Sequence, residues 1–218
     1  MNYDFQINYS EAYTRGYFEY VIAKTFTKND NLKIITSLRL AAHYHKNQVR
    51  SDGSRYIAHP IRVALLLLKH EQAVTSNLII AALLHDALED TDFTELEIIL
   101  NFGEAVLTYV KGATRYREGL ETPNDRKTGK TEKWKQTMKA SWEIRVIKTF
   151  DYLDNIISMK FIKPDMPHYG KISRWLMEAQ TMYVPLAEIT NKQAHKLLLQ
   201  EINYYLGKGF QTGDWYSG

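Results

Sequence analysis

Apolar residues recur along most of this chain at intervals of three and four, and alternating apolar–polar runs are few. That period predicts amphipathic helices around a common core, so the fold class is all-α. Residues 11–26 read as a first helix. The opening thirty residues are rich in rings (Tyr3, Phe5, Tyr9, Tyr13, Tyr17, Phe18, Tyr20, Phe26), which pack onto the core in one reading and form a homodimer contact in the other. Asp30 or Asn31 is the expected cap of a helix to about residue 45, with Leu32, Ile35, Leu38 and Ala42 on one face. Residues 50–55 read as a loop. Pro60 suits the first turn of a helix over 61–70, because it lacks an N–H that a helix start leaves unpaired anyway. Ser76 is placed to cap a helix through about residue 88. Thr94 and Glu97 form a capping-box pattern that opens a helix ending near Gly103. Further helices are expected over 104–114, 141–161, 168–188 and 191–206. The tail, 207–218, contains four glycines and frays unless Phe210 or Trp215 docks. The expected layout is an aromatic-rich helical extension over 1–30, one helical domain over 31–206 and a flexible tail over 207–218.

Composition narrows the chemistry. The 218 residues include no cysteine, which excludes a disulfide scaffold, a thiolate nucleophile, iron–sulfur ligation and a thiolate zinc site. Any metal is therefore held by His, Asp and Glu. Apolar runs such as 63–68 fall far short of the roughly 20 residues of a membrane span. The start, MNYDFQINYS, lacks a basic region followed by an apolar stretch, so no secretory signal and a cytoplasmic location are expected. The net charge of +3 is too small to argue for nucleic acid. Residues 115–135 carry seven Lys and Arg against four acids. This segment reads as a solvated loop or as a mobile segment that folds over a nucleotide. It has no aromatic ladder or base-reading motif to favour nucleic acid.

The densest chemistry is His85-Asp86-Ala87-Leu88-Glu89-Asp90, directly after the apolar run 78–84. On a continuous helix His85 and Glu89 are four apart, as are Asp86 and Asp90, so they share one face. An adjacent His–Asp pair supplies one imidazole nitrogen and one carboxylate; two more ligands would close a shell around a divalent ion. The alternative is a helix end that turns polar as it reaches solvent.

Four other blocks flank this one: Arg50-Ser51-Asp52-Gly53-Ser54-Arg55-Tyr56-Ile57-Ala58-His59-Pro60, Phe102-Gly103, Lys148-Thr149-Phe150-Asp151-Tyr152-Leu153-Asp154-Asn155 and Tyr183-Val184-Pro185-Leu186-Ala187. In order and spacing, the five resemble the hydrolase domain of the RelA/SpoT family, a branch of the HD-domain metal-dependent phosphohydrolases. The resemblance covers residues 38–187 and implies an HD-domain helical bundle. Carried over position by position, it implies that His59, His85, Asp86 and Asp151 are the metal ligands and that the ion is Mn²⁺. Two imidazoles with two carboxylates also suit Fe²⁺ or Zn²⁺. Read alone, His59 is a histidine at a helix start and Asp151 a buried acid paired with Lys148 or Arg145. Glu89 and Asp90 match the acidic pair whose implied role is to orient and deprotonate water beside the metal. Arg50 matches the loop arginine that lies against guanine, and Tyr56 and Asn155 match positions lining the nucleoside pocket.

The implied activity is hydrolysis of the 3′-pyrophosphate of (p)ppGpp to GDP or GTP and pyrophosphate, by a stand-alone small alarmone hydrolase. The implied partner is a nucleotide, with neither nucleic acid nor membrane. Alternatives are the same centre acting on (p)ppApp, on the 2′-phosphate of NADPH or on a nucleoside monophosphate, and a regulator that binds nucleotide without turnover. The chain departs from the family pattern in two places. Ser51-Asp52 stands where the loop arginine is usually followed by Lys, and Tyr152 and Asp154 replace the usual Arg and His around the ligand Asp. Both changes are expected to leave the metal site untouched and to bear on which nucleotide is bound.

Overall fold

A computed structural model describes residues 11–116 and 122–211. Among these residues every regular element is helical, and the one strand-like feature is an isolated antiparallel bridge between Val49 and Arg55.

Helix α1 (Glu11–Thr25) sends Phe18 and Ile22 fully into the core. Helix α2 (Lys28–Tyr44) is capped by Thr27, whose extended backbone lets its hydroxyl accept from Asp30 N at 3.2 Å. Asp30 thus lies inside the first turn, where acids favour the helix dipole, and neither it nor Asn31 is the cap. Ile34, Leu38 and Ala41 form the buried face, whereas Leu32 is 65% exposed and lies off it. The 50–54 loop closes through Arg50 N to Ser54 O at 2.8 Å and turns at Gly53, whose φ of 81° favours glycine.

Helices α3 (Ala58–His70) and α4 (Ser76–Leu84) form the centre of the bundle. Ala58 to Leu67 of α3 and Leu78 to Leu84 of α4 are all buried. Helices buried on every face lie inside the core, and the buried polar residues of α3, His59 and Arg62, therefore need partners there. Helix α3 begins three residues before the expected start, with Pro60 still in its first turn. Thr75, one residue before the expected Ser76, caps α4 by accepting from Leu78 N at 3.2 Å. The segment expected as one helix to residue 88 instead turns at His85-Asp86 and resumes as α5 (Ala87–Asp90).

Helix α6 (Glu95–Phe102) opens with the Thr94/Glu97 capping box, and Gly103, at φ 87°, joins it to α7 (Glu104–Ala113). The basic segment is a helix over most of its length. In α8 (Pro123–Met138), Pro123 follows a Thr122/Asp125 capping box. Lys130 bonds to Glu178 from this helix, and it and Lys133 border one cleft, which corrects the solvated-loop reading. Residues 117–121 lie outside the described residues.

Helix α9 (Trp142–Ser158) crosses the middle of the molecule against α3, α7, α11 and α12. The single helix expected over 168–188 divides into α10 (Ile172–Glu178), a π-helical turn (Ala179–Tyr183) and α11 (Val184–Thr190). Pro185 explains the widening: it has no N–H for the carbonyl four residues back, and its ring crowds that carbonyl. Helix α12 (Lys192–Gly207) completes the bundle. Beyond it Phe210 meets the rings of Tyr205 and Tyr169 at 5.9 and 5.6 Å; Trp215 lies outside the described residues. Among them, no helix is long and apolar enough to cross a membrane.

Where α7 approaches α9, a Cβ on Gly112 would meet Ile144 Cδ1 at 2.2 Å and Cγ1 at 2.6 Å. Rotating the isoleucine terminus relieves the first contact but not the second. Gly112→Ala is therefore expected to lower the melting temperature. Overpacking of about 1–3 kcal/mol outweighs the roughly 1 kcal/mol of helix propensity that alanine returns. A melting temperature at or above the wild-type value would show that this approach is loose.

Candidate metal centre and nucleotide cleft

Three core segments deliver the polar centre. The first turn of α3 supplies His59, the turn after α4 supplies His85 and Asp86, and the middle of α9 supplies Asp151, Asp154 and Asn155. His59, His85 and Asp151 are buried, and one donor atom from each lies within 4.8 Å of the others. Asp86 Oδ2 borders the same space, 3.0 Å from His85 Nε2 and 3.6 Å from His59 Nε2. Asp151 Oδ1 lies 3.2 Å from His59 Nε2.

Both imidazoles are aimed by their second nitrogen. His85 Nδ1 donates to the Ala82 carbonyl at 2.8 Å, and His59 Nδ1 bonds to Asp154 Oδ2 at 2.7 Å. Each contact fixes the ring and turns Nε2 toward the carboxylates, the arrangement that orients metal-binding histidines. His85 Nε2 is buried with no hydrogen-bond partner, although two carboxylates stand close. Burial alone would lower the His85 pKa, but Asp86 and Asp151 outweigh it and push it up to about 10. Converging acceptors around an unsatisfied nitrogen form a site that demands a cation. Two imidazoles with carboxylate oxygens suit a divalent first-row ion.

The surroundings keep the two carboxylates ionised. Burial opposes charge on Asp151, but Lys148 beside it holds its carboxyl well below the usual carboxylate range. Asn155 Nδ2 donates to Asp151 Oδ1 at 2.7 Å. Tyr56 donates its hydroxyl proton to Asp86 Oδ2, and burial followed by the Asp86 charge raises its pKa so that it stays a donor.

Two adjoining chambers open at this centre. The smaller, about 220 Å³, contains His59, Asp86 and Asp151 with Glu89 and Asp90. Arg115, Lys130, Lys133 and Lys148 oppose these acids. Glu89 Oε2 accepts from Arg115 N at 3.0 Å. The larger chamber, about 360 Å³, has walls that include Arg50, Ile156, Met159, Ile162, Trp175 and Glu178. Tyr56, Lys130, Asn155 and Tyr183 border both. Arg50 Nη2 donates to Asn155 Oδ1 at 2.9 Å and to Ser158 Oγ at 3.0 Å. A hydrogen-bonded chain from Arg50 through Asn155 to Asp151 therefore links the two chambers. All nine residues singled out in the sequence border this cleft or centre. Because of the turn at His85-Asp86, however, His85 and Glu89 do not share one helical face.

Sequence reasoning missed Asp154. Its carboxylate holds His59 and receives two bonds from the fully buried Arg62, at 2.7 and 3.0 Å. The departure at this position thus touches the centre directly, contrary to expectation. The signal was present in spacing: Arg62 follows His59 by three and Asp154 follows Asp151 by three, each pair on one helix face. The cations of α8 were noticed, but not that they sit on a helix, from which Lys130 and Lys133 border the cleft.

Comparison with known proteins matches residues 37–190 to a family described as HD domain. A guanosine-3′,5′-bis(diphosphate) 3′-pyrophosphohydrolase of Borreliella burgdorferi is 28% identical over 192 residues, 87% of this chain and 28% of that protein. One of the same name from Aquifex aeolicus is 35% identical over 158 residues, 71% of this chain and 21% of that protein. The chain thus spans less than a third of these relatives. A solved metazoan ortholog of SpoT that hydrolyzes ppGpp superposes with a TM-score of 0.70 at 25% identity, covering 79% of this chain and 95% of that one.

Proposed function

Because the chain belongs to the HD-domain family, we propose that it is a metal-dependent phosphohydrolase that removes the 3′-pyrophosphate of (p)ppGpp. The products are GDP or GTP and pyrophosphate. The observation that carries this reading is the centre itself: two imidazole Nε2 atoms and two carboxylates converge where a nucleoside-sized chamber meets a cationic one. The names of the relatives supply the substrate.

In this reading His59, His85, Asp86 and Asp151 hold one Mn²⁺, with Fe²⁺ or Zn²⁺ as substitutes. When bound, such an ion supplies a Lewis-acid charge beside the scissile phosphate and acidifies nearby water. Glu89 and Asp90 border the same chamber; one of the two accepts the proton that the attacking water loses and the other orients that water. Arg115, Lys133 and Lys148 face the phosphates and balance their charge. Arg50 lies against the base, with Tyr56 and Asn155 beside the ribose. The reading includes a cytoplasmic location, where nucleotide substrates are held, and no membrane or nucleic-acid partner. A homodimer is tested by solution mass.

The test is incubation of the purified chain with Mn²⁺ and ppGpp, with the products separated by chromatography. Pyrophosphate and GDP are expected. No release from ppGpp, alongside turnover of (p)ppApp, NADPH or a nucleoside monophosphate, would move the same centre to that substrate. The 50–54 loop is what favours such a second reading. Ser51 Oγ bonds to His168 Nδ1 at 2.8 Å, and Asp52 Oδ1 accepts from Ser54 N at 2.9 Å, so the loop presents no second cation.

Arg50→Ala is expected to raise KM about tenfold and leave kcat within about twofold, because contacts to the base are shared by ground and transition states. Steady-state kinetics on ppGpp checks this. An equal fall in kcat would show that Arg50 acts instead through Asn155 on Asp151.

A further inference from the structure

Helix α8 and the buried Glu178 carry an inference that rests on the nucleotide reading above. Lys130 is the cation common to both chambers. Its Nζ donates to both carboxylate oxygens of Glu178, at 3.0 and 2.8 Å. The two ends of this pair differ: the Glu178 side chain is 3% exposed and that of Lys130 is 33% exposed. Glu178 also accepts from the Tyr183 hydroxyl at 3.3 Å, and the Tyr183 ring stacks on Tyr152 at 3.7 Å. The acid is therefore fixed in the wall, while the lysine extends into the junction.

A carboxylate lining a cleft for a polyanion repels its ligand unless a cation covers it. A nucleotide with phosphates on two positions of the ribose presents one group to the histidine–aspartate centre and the other to this junction. The 50–54 loop offers Arg50 but no lysine after it. A phosphate group, with up to two charges and three acceptor oxygens, competes with one carboxylate for an ammonium; a neutral nucleoside does not.

We infer that Lys130 receives the phosphate group lying away from the metal centre, and that Glu178 holds this lysine as a competing anion. The pair then grades nucleotides by the phosphate charge at that end. Glu178→Gln releases the lysine and strengthens phosphate binding, whereas a mere structural tie would make the same change loosen α8 and weaken every ligand alike.

The experiment is calorimetric titration of the whole chain with GDP and with guanosine, in metal-free buffer so that no turnover is needed. Glu178→Gln should bind GDP about tenfold tighter, and Lys130→Met about tenfold or more weaker, with guanosine unchanged in both. Equal weakening of GDP and guanosine by Glu178→Gln overturns the proposal. So does a wild-type GDP-to-guanosine ratio in Lys130→Met. If the wild-type chain binds no GDP, the guanine-nucleotide reading fails and takes this inference with it. If the wild type binds GDP and both variants match it, only the Lys130–Glu178 assignment fails.

Discussion

Asp86→Ala is expected to cut turnover by about three orders of magnitude or more while leaving the melting temperature nearly unchanged. Asp86 lies on the turn between α4 and α5, with its side chain 16% exposed to the smaller chamber. Truncating it opens no cavity in the core, and the Tyr56 hydroxyl that it frees borders the same chamber. What is lost is one of the two carboxylates facing both imidazole nitrogens. A metal's stabilisation of a phosphoryl transition state is several kcal/mol, and each 1.36 kcal/mol is about tenfold in rate. Turnover measured at matched metal loading, with a thermal melt alongside, checks both halves. Activity within tenfold of wild type would remove Asp86 from the ligand set.

Asp154→Asn should be the most damaging conservative change in the centre, and it should damage stability and metal affinity separately. Asp154 and Arg62 are both fully buried and joined by two hydrogen bonds, and Asp154 also holds His59 Nδ1. Breaking a buried pair from one side leaves an uncompensated charge and costs about 3–5 kcal/mol. Loss of the group that orients a metal-binding histidine typically weakens affinity about 10- to 100-fold. The two effects come apart in the double variant Asp154→Leu, Arg62→Met. An apolar pair of similar size restores much of the stability but does not orient His59. Denaturant melts and metal titration of both variants read the split; recovery of affinity together with stability would show that Asp154 serves the fold alone.

This interaction also sets a pH dependence. Burial alone would raise the Asp154 pKa, but Arg62 and then His59 outweigh it and hold the carboxyl below its ordinary range. A depressed folded value means that the stabilisation is full above the unfolded carboxyl pKa of about 3.9. It is lost as pH falls below that toward the folded value. The stability gap between wild type and Asp154→Asn should therefore be widest above about pH 4 and should narrow in acid.

What could be read in the sequence was whatever local rules decide. The Thr94/Glu97 capping box, the place of Pro60 in the first turn of α3 and the all-helical class follow from spacing within a few residues. His59, His85, Asp86 and Asp151 were found through a pattern of separated blocks, and the bundle brings the four side chains together. Three features depended on tertiary contacts. The turn at His85-Asp86 interrupts a segment whose periodicity continues to Leu88, and there His85 Nδ1 bonds to the Ala82 carbonyl. Asp154 looked like a lost histidine because its partners, His59 and Arg62, lie more than ninety positions earlier. The α8 cations left two readings open, a solvated loop or a segment over a nucleotide, because nothing nearby in sequence announces Glu178 or the Met182 carbonyl, which receives Trp134 Nε1 at 2.9 Å.

The most direct measurement is an anomalous-difference map from crystals soaked in manganese, recorded at the manganese edge. One peak is expected among His59, His85, Asp86 and Asp151, at about 2.0–2.3 Å from both imidazole Nε2 atoms and from a carboxylate oxygen of each acid. No peak there, or a peak held by other residues while these four stand apart from it, would contradict the assignment and the hydrolytic activity built on it.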